Sequence, residues 1–260
     1  MTDLVRVWIV PVGLAAAAAA RCRGVLDDSE RARAAGFRNP RDEQRFVIGH
    51  GALRILVARE LGIRPAALAW APGAHGKPEL APPWSGLHTS LSHSADLIAA
   101  AFSASRPVGI DIQHLVPALD PVALSARFFP PPEAGYVAAG RDAGIRADRF
   151  ARLWARKEAV VKAAGGRLWP NLRIAVQRRE VVSCAEPAGP YRVADVPAPP
   201  AFRAAVALAG AAPFAVQTAS ADAVTGPSPR PRLPPAPDCA SAAGRGQARG
   251  RTAARRHPGG

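Results

Sequence analysis

The spacing of apolar residues along the 260-residue chain changes several times, and each change marks an element. Leu4–Val10 reads as a first strand, followed by a turn and a short Ala-rich helix. Residues 27–61 read as two helical pieces separated by Asn39-Pro40. In the second piece, Asp42–Leu61, Phe46, Leu53, Leu56, Val57 and Leu61 recur at helical spacing, with Arg45, Arg54 and Arg59 interspersed. Gly49 and Gly51 weaken that helix slightly and let another segment come close. Residues 62–86 are rich in Pro and Gly and read mostly as loop, with a short strand around Leu68–Trp70. Leu87–Leu91 and Leu97–Phe102 fit either strand-loop-strand or loop-helix-strand around Ser92-His93-Ser94, and Val108–Gln113 is a clear strand pattern. Helices are expected over Pro121–Phe129, Pro132–Ala139 and Asp148–Ala164. Strands are expected over Leu172–Gln177, Tyr191–Val193, Phe202–Ala209 and near Phe214–Thr218.

Helices and strands mix in both halves, with a natural division at Ser105-Arg106-Pro107, so the class is α+β. The expected organisation is an N-terminal half over residues 1–105, a C-terminal half over 106–222, and a tail over 223–260. In that tail Pro, Arg, Gly, Ala and Ser dominate without periodicity, so it reads as disordered. An apolar content of 48% suits one compact domain or two small ones. Cys22, Cys184 and Cys239 are widely spaced, odd in number and in no metal spacing, which argues against a disulfide framework or zinc site and for a reducing cytoplasm. No stretch reaches the roughly 20 apolar residues that a membrane span needs. The run from Trp8 to Ala20 imitates a signal-peptide core, but Asp3 and the single Arg6 make a poor leader, and Pro11 and Gly13 interrupt it. The net charge is +14; seven Arg against one Asp give the tail +6 and leave +8 for the body. A basic body steers acidic partners, whether nucleic acid, CoA-like phosphates or an acidic protein. The tail lacks aromatic residues for stacking and any regular basic helix, which argues against nucleic acid.

Candidate chemistry collects at a few polar motifs. Only three of the 34 cationic residues are lysines, Lys77, Lys157 and Lys162, and all fall inside such motifs. A compact ammonium with rotating donors differs from a rigid guanidinium fork, so lysines that persist in so Arg-rich a chain hint at point-charge or proton-transfer roles. In Val108-Gly109-Ile110-Asp111-Ile112-Gln113, strand alternation turns Asp111 and Gln113 to one face. This is either a shared cation site or an ordinary half-buried strand. Phe150, Trp154, Glu158 and Lys162 step by four along one helix face. The two aromatics turn that face toward protein, and a partly buried Glu and Lys there suit a divalent cation and a phosphate. Ser92-His93-Ser94 reads as a loop and an anion pocket. No Gly-x-Ser-x-Gly elbow, phosphate-binding Gly-rich loop or dinucleotide fingerprint is present.

Gly76-Lys77-Pro78, Ser92-His93-Ser94, Val108-Gly109-Ile110-Asp111-Ile112 and Trp154-x-x-Lys157-Glu158-Ala159-x-x-Lys162, in this order and spacing, resemble the 4′-phosphopantetheinyl transferases of the surfactin-activating (Sfp) type. The likeness extends more loosely from residue 4 to 218 and leaves the tail outside. It implies transfer of the phosphopantetheine arm of coenzyme A to a serine of an apo acyl or peptidyl carrier protein, with Mg2+ on the pyrophosphate and release of adenosine 3′,5′-bisphosphate. It also implies a pseudo-twofold pair of similar α+β halves with CoA bound between them. By matched position, Asp111, Gln113 and Glu158 are implied to hold the metal, and Lys162 to meet the pyrophosphate and help the leaving group. Glu158, or a water it positions, is implied as the base, and Lys157 is implied within the same catalytic motif. Ser92 and His93 are implied to bind CoA phosphates, Lys77 to line the nucleotide site, and Arg33 and Arg45 to reach the 3′-phosphate. Many relatives carry Glu where this chain has Gln113, and an amide oxygen can ligate Mg2+ but adds no charge. The expected partner is an acidic carrier protein, the expected state a monomer, and Arg127-Phe128-Phe129 is a candidate docking surface or simply core. The competing reading is a non-catalytic CoA- or carrier-binding protein of the same fold.

Overall fold

The computed structural model describes residues 2–73, 77–116, 119–185, 188–219 and 222–225. The chain opens with strand β1 (Asp3–Pro11), helices α1 (Ala16–Gly24), α2 (Asp28–Ala35) and α3 (Pro40–Leu61), and a single 3-10 turn at Pro65–Ala67. Strands β2 (Trp70–Pro72) and β3 (Pro78–Leu80) form a small hairpin, and β4 (His88–Ser94) and β5 (Leu97–Ser103) a larger one. After β6 (Val108–His114) come helices α4 (Pro121–Phe128), α5 (Pro131–Ala138), α6 (Ala143–Ala164) and α7 (Leu168–Asn171). Strands β7 (Val181–Ala185), β8 (Ala188–Val196), β9 (Phe202–Ala209) and β10 (Phe214–Ala219) follow, then the short helix α8 (Asp222–Thr225). The class is α+β. One four-stranded sheet has the order β10-β1-β5-β4 and the other β6-β9-β8-β7.

Each sheet is covered by a 22-residue helix, and both helices stop the same way. Gly62 after α3 and Gly165 after α6 each take φ 66°, the left-handed conformation that costs a residue with a Cβ but not glycine. At the other end, Asn39 caps α3, and the Asp142 carboxylate accepts the Ile145 amide at 2.8 Å, so α6 begins a full turn before the Asp148 that periodicity suggests. Such a cap is worth about 1 kcal/mol. Trp8, Val10, Leu53, Leu56 and Val57 form the core between the first sheet and α3. Phe129, Phe150, Leu153, Val160 and Val193 form the core between the second sheet and α6. A third cluster, including Val5, Val7, Ile110, Ile112 and Val206, joins the sheets' remaining faces.

Four expectations change. Ser92-His93-Ser94 is not a loop: it ends β4, and the hairpin turns on Ala95-Asp96, with Ala95 at φ 49°. Leu172–Gln177 is not a strand. Its backbone groups find charged side chains instead: the Glu133 carboxylate accepts the Val176 and Gln177 amides, while Arg156 donates to the Val176 carbonyl. The strand near Phe214, expected with the second half, pairs in parallel with β1 and completes the first sheet. Finally, the aperiodic tail begins later than residue 223. Asp222–Thr225 is helical, Val224 is buried in the first half's core, and Arg21 donates to its carbonyl. The remainder of the tail, residues 226–260, lies outside the described residues, as do Gly76 and Cys239. Cys22 and Cys184 are buried, and the Cys184 thiol donates to Asn171 Oδ1 at 3.2 Å.

Candidate active site

The site lies where β4 of the first sheet runs beside β6 of the second. The two strands share no backbone ladder. Instead, from Ser90 onward every second residue of β4 is a serine, and each hydroxyl accepts a β6 amide: Ser90 from Ile110 at 3.0 Å, Ser92 from Ile112 at 3.4 Å and Ser94 from His114 at 3.0 Å. A buried amide left without an acceptor costs about 1–3 kcal/mol, so these hydroxyls both satisfy β6 and fix its register against β4. From the second sheet's side, α6 closes on β6 at Gly109. A Cβ there would stand 2.0 Å from the Ala159 carbonyl oxygen and 2.3 Å from the Ala163 nitrogen. Glycine is what lets the helix sit this close, with Glu158 and Lys162 over the strand.

Asp111, 1% exposed, meets these elements at one point. Its Oδ1 accepts from Ser92 Oγ at 2.6 Å and from Lys162 Nζ at 2.6 Å; its Oδ2 accepts from Gln113 Nε2 at 2.8 Å. Lys162 also donates to Ser92 Oγ at 3.0 Å and lies 3.7 Å from Glu158 Oε2. Trp154 Nε1 donates to Glu158 Oε1 at 3.1 Å, which sets the carboxylate's orientation. Burial, then the like charge of Asp111, pushes the Glu158 carboxyl above the ordinary range, against the pull of Lys162. The helix face read from the sequence therefore does point inward.

A cleft of about 490 Å3 opens between the halves, lined by Arg33, His50, Lys77, Ser90, Lys162 and Gly166. Arg33 lies over the Phe46 ring, 5.1 Å from its centroid. Lys77 reaches across the interface to donate to the Val108 carbonyl at 3.0 Å and the Lys162 carbonyl at 2.7 Å. Burial lowers its ammonium to about 8. His93 faces outward near Arg45, which donates to the Ala95 carbonyl at the hairpin turn. Partial burial of the ring, then the positive charges of Arg45 and Lys162, holds His93 below its ordinary range, hence neutral at pH 7. A second, smaller cavity of about 210 Å3 lies beside Gln113 and Trp154.

Of the residues singled out by sequence, Ser92, Asp111, Gln113, Glu158 and Lys162 form one bonded cluster. Arg33 and Lys77 line the cleft, while Arg45 and His93 sit by the β4–β5 turn. Two of the residues are engaged inside the protein. Ser92 donates to Asp111 and accepts from Ile112 and Lys162, so its hydroxyl is fully engaged inside the protein, and a phosphate would have to displace one of these partners. Lys157 does not join the cluster. It points to the opposite side of α6, wholly buried, where it pairs with Glu133 at 2.6 Å, donates to the Ile174 carbonyl and lies over the Phe129 ring. Sequence reading missed Glu133, which nothing local marks, and the Ser90–Ser92–Ser94 period, which was visible. Phe129 is core, whereas Phe128 lies half-buried against the exposed Trp169.

Among the described residues, no group of three or more His, Cys, Asp or Glu side chains gathers as a metal would require. The oxygen-only set of two carboxylates, Asp111 and Glu158, still suits a hard divalent cation, because burial and mutual repulsion leave Glu158 with charge to be compensated. Gln113 presents its nitrogen, not its oxygen, to Asp111 and would have to turn over to become a ligand.

The profile of the 4′-phosphopantetheinyl transferase superfamily matches residues 107–199, which span β6, α6 and β8. A 4′-phosphopantetheinyl transferase of Nostoc sp., HetI, is 34% identical over 167 residues, 64% of this chain and 70% of the relative. The chain belongs to the 4′-phosphopantetheinyl transferase superfamily. It is a transferase of this class. Two 4′-phosphopantetheinyl transferases of Bacillus subtilis are similar as well. One is 30% identical and the other, Sfp of strain 168, 27% identical. Each match spans 145 residues, 56% of this chain, and covers 62% of the relative's length. The superfamily match thus rests on the strand and helix that carry Asp111, Glu158 and Lys162.

Proposed function

We propose that the protein transfers the 4′-phosphopantetheine arm of coenzyme A to a serine hydroxyl of an apo acyl or peptidyl carrier protein in an Mg2+-dependent reaction. The observation that carries this reading is the cluster of buried Asp111 with half-buried Glu158 and Lys162, the last of which lines the cleft. Asp111 and Glu158 would hold Mg2+, with Gln113 able to join after an amide turn; the ion supplies charge for the pyrophosphate oxygens. Arg33 and Lys162 line the cleft and give it the cationic wall that a nucleotide phosphate needs. Arg45, at the β4–β5 turn, is placed to add to it, and the neutral His93 ring beside it can donate a hydrogen bond to a phosphate oxygen.

The serine oxygen attacks the pantetheine-side phosphorus of the pyrophosphate, the bond from that phosphorus to the bridging oxygen breaks, and adenosine 3′,5′-bisphosphate leaves. Phosphoryl transfer is accelerated chiefly by positioning and by charge stabilisation on oxygen. Lys162 meets the charge developing on the leaving oxygen. Glu158, or a water it positions, accepts the serine proton. The +14 chain favours acidic carriers by long-range attraction. No described helix is long and apolar enough to cross a membrane. We infer a cytoplasmic monomer whose two halves are similar and complete the site without a partner copy.

The test is intact mass of an apo carrier after incubation with the protein, CoA and Mg2+. A gain of one phosphopantetheine, lost with EDTA and with Glu158→Ala, is expected. No gain with several carriers, while CoA still binds, would instead support a binding-only protein.

A further inference from the structure

Lys77 belongs to the first half, yet both carbonyls that its ammonium reaches belong to the second. Val108 opens β6, the strand that carries Asp111. Lys162 lies in the last turn of α6, where carbonyls lack the amide that would follow in a longer helix. Within its own segment the Lys162 carbonyl accepts the Gly165 amide, at 3.3 Å. Lys77 supplies a second and closer donor at 2.7 Å, and it brings positive charge to the negative end of the helix dipole. The residue whose carbonyl is held is also the residue whose ammonium bonds Asp111 and Ser92.

We propose that Lys77 is a positioning residue: it grips the start of β6 and the last turn of α6 together from the opposite half, so that the Lys162 ammonium stays beside Asp111 when the cleft fills. This deepens the transferase reading and rests on it, and it differs from the nucleotide contact expected of Lys77 from the sequence. An ammonium suits the task. Its three donors rotate freely and can meet carbonyls from two different elements, whereas a guanidinium presents its donors in a fixed planar fork. Two of those donors are committed to the carbonyls, which limits what the side chain can offer a phosphate.

Lys77→Met, which keeps length and loses the donors, and Lys77→Arg, which keeps the charge but fixes its donors in a planar fork, separate this role from a ligand role. Three readouts are compared with the unsubstituted protein: kcat for transfer to an apo carrier, Kd for CoA by calorimetry, and hydrogen–deuterium exchange across residues 159–168. Displacing an essential group by about 1 Å can cost on the order of 100-fold in rate. The expectation is therefore a kcat roughly 10- to 100-fold lower in both variants, with CoA Kd within about threefold. Faster exchange at the Gly165 and Gly166 amides should accompany it. Loss of CoA affinity that accounts for the whole loss of kcat/KM, with full rescue by Lys77→Arg, would overturn the proposal in favour of a phosphate ligand. Unchanged exchange would overturn it too. If the unsubstituted protein transfers nothing to any carrier, the transferase reading fails, and the exchange comparison still decides what Lys77 holds.

Discussion

Removing the Glu133 carboxylate should damage the fold far more than its distance from the cleft suggests. Glu133 is 2% and Lys157 0% exposed, and their charged atoms lie 2.6 Å apart. The other carboxylate oxygen accepts the Val176 and Gln177 amides, the latter at 2.8 Å. Glu133→Ala leaves a buried ammonium with only the Ile174 carbonyl and the Phe129 ring, and it orphans two amides. Breaking a buried pair from one side costs about 3–5 kcal/mol. Against a total stability of about 5–15 kcal/mol this is a large share. Lys157→Met should cost less, because Glu133 keeps both amide donors. The double substitution Glu133→Gln with Lys157→Met removes both charges and keeps an acceptor, so it should fall within about 2 kcal/mol of the unsubstituted protein. Urea unfolding followed by circular dichroism measures all three. Lys157→Met, assayed at a temperature where it is folded, should retain most of its transfer activity. The reasoning fails if Glu133→Ala lies within about 1 kcal/mol of the parent. It fails equally if folded Lys157→Met is inactive, since that would return Lys157 to the chemistry.

Gly109→Ala should cost at least about 2–3 kcal/mol and suppress transfer, because relieving a 2.0 Å contact with the Ala159 carbonyl moves α6 off β6; a melting temperature unchanged from the parent would contradict this. Gln113→Glu places a third carboxylate beside Asp111 and should lower the Mg2+ concentration for half-maximal transfer several-fold, whereas an unchanged titration removes Gln113 from the ligand set. Lys77 titrates near 8 when folded and near its ordinary 10.5 when unfolded. Between those values the unfolded chain binds more protons, so stability relative to Lys77→Met should rise with pH across that window, by at most about 3 kcal/mol. Identical pH slopes of melting temperature in the two proteins would refute that shift.

What the sequence could and could not disclose follows from the range of the forces involved. Local periodicity and local chemistry were readable: α3 and α6 by their 3.6-residue spacing, β6 and β9 by their apolar runs, the inward face of Phe150, Trp154, Glu158 and Lys162 by its step of four. Partners far apart in the chain were not. Nothing near Lys157 indicates that Glu133 lies against it. Nothing near Leu172–Gln177 shows that side chains from α5 and α6 would satisfy its backbone in place of a neighbouring strand. The serines of β4 were visible, but polar side chains at alternate positions read as an anion-binding loop until β6 supplied the amides that they accept from.

The parallel pairing of β10 with β1 has a consequence for how the chain is made. The strand that borders β1 on one side leaves the ribosome only after the entire second half has been synthesised. Until then the nascent first half offers an open, apolar edge, since Val5 and Val7 are fully buried in the finished protein. Folding is therefore not vectorial half by half: the last strand ties the beginning of the chain to its end. A message truncated ahead of residue 214 would yield a first sheet one strand short, exposed to pairing with other chains. Expression of residues 1–105 alone would carry the same defect.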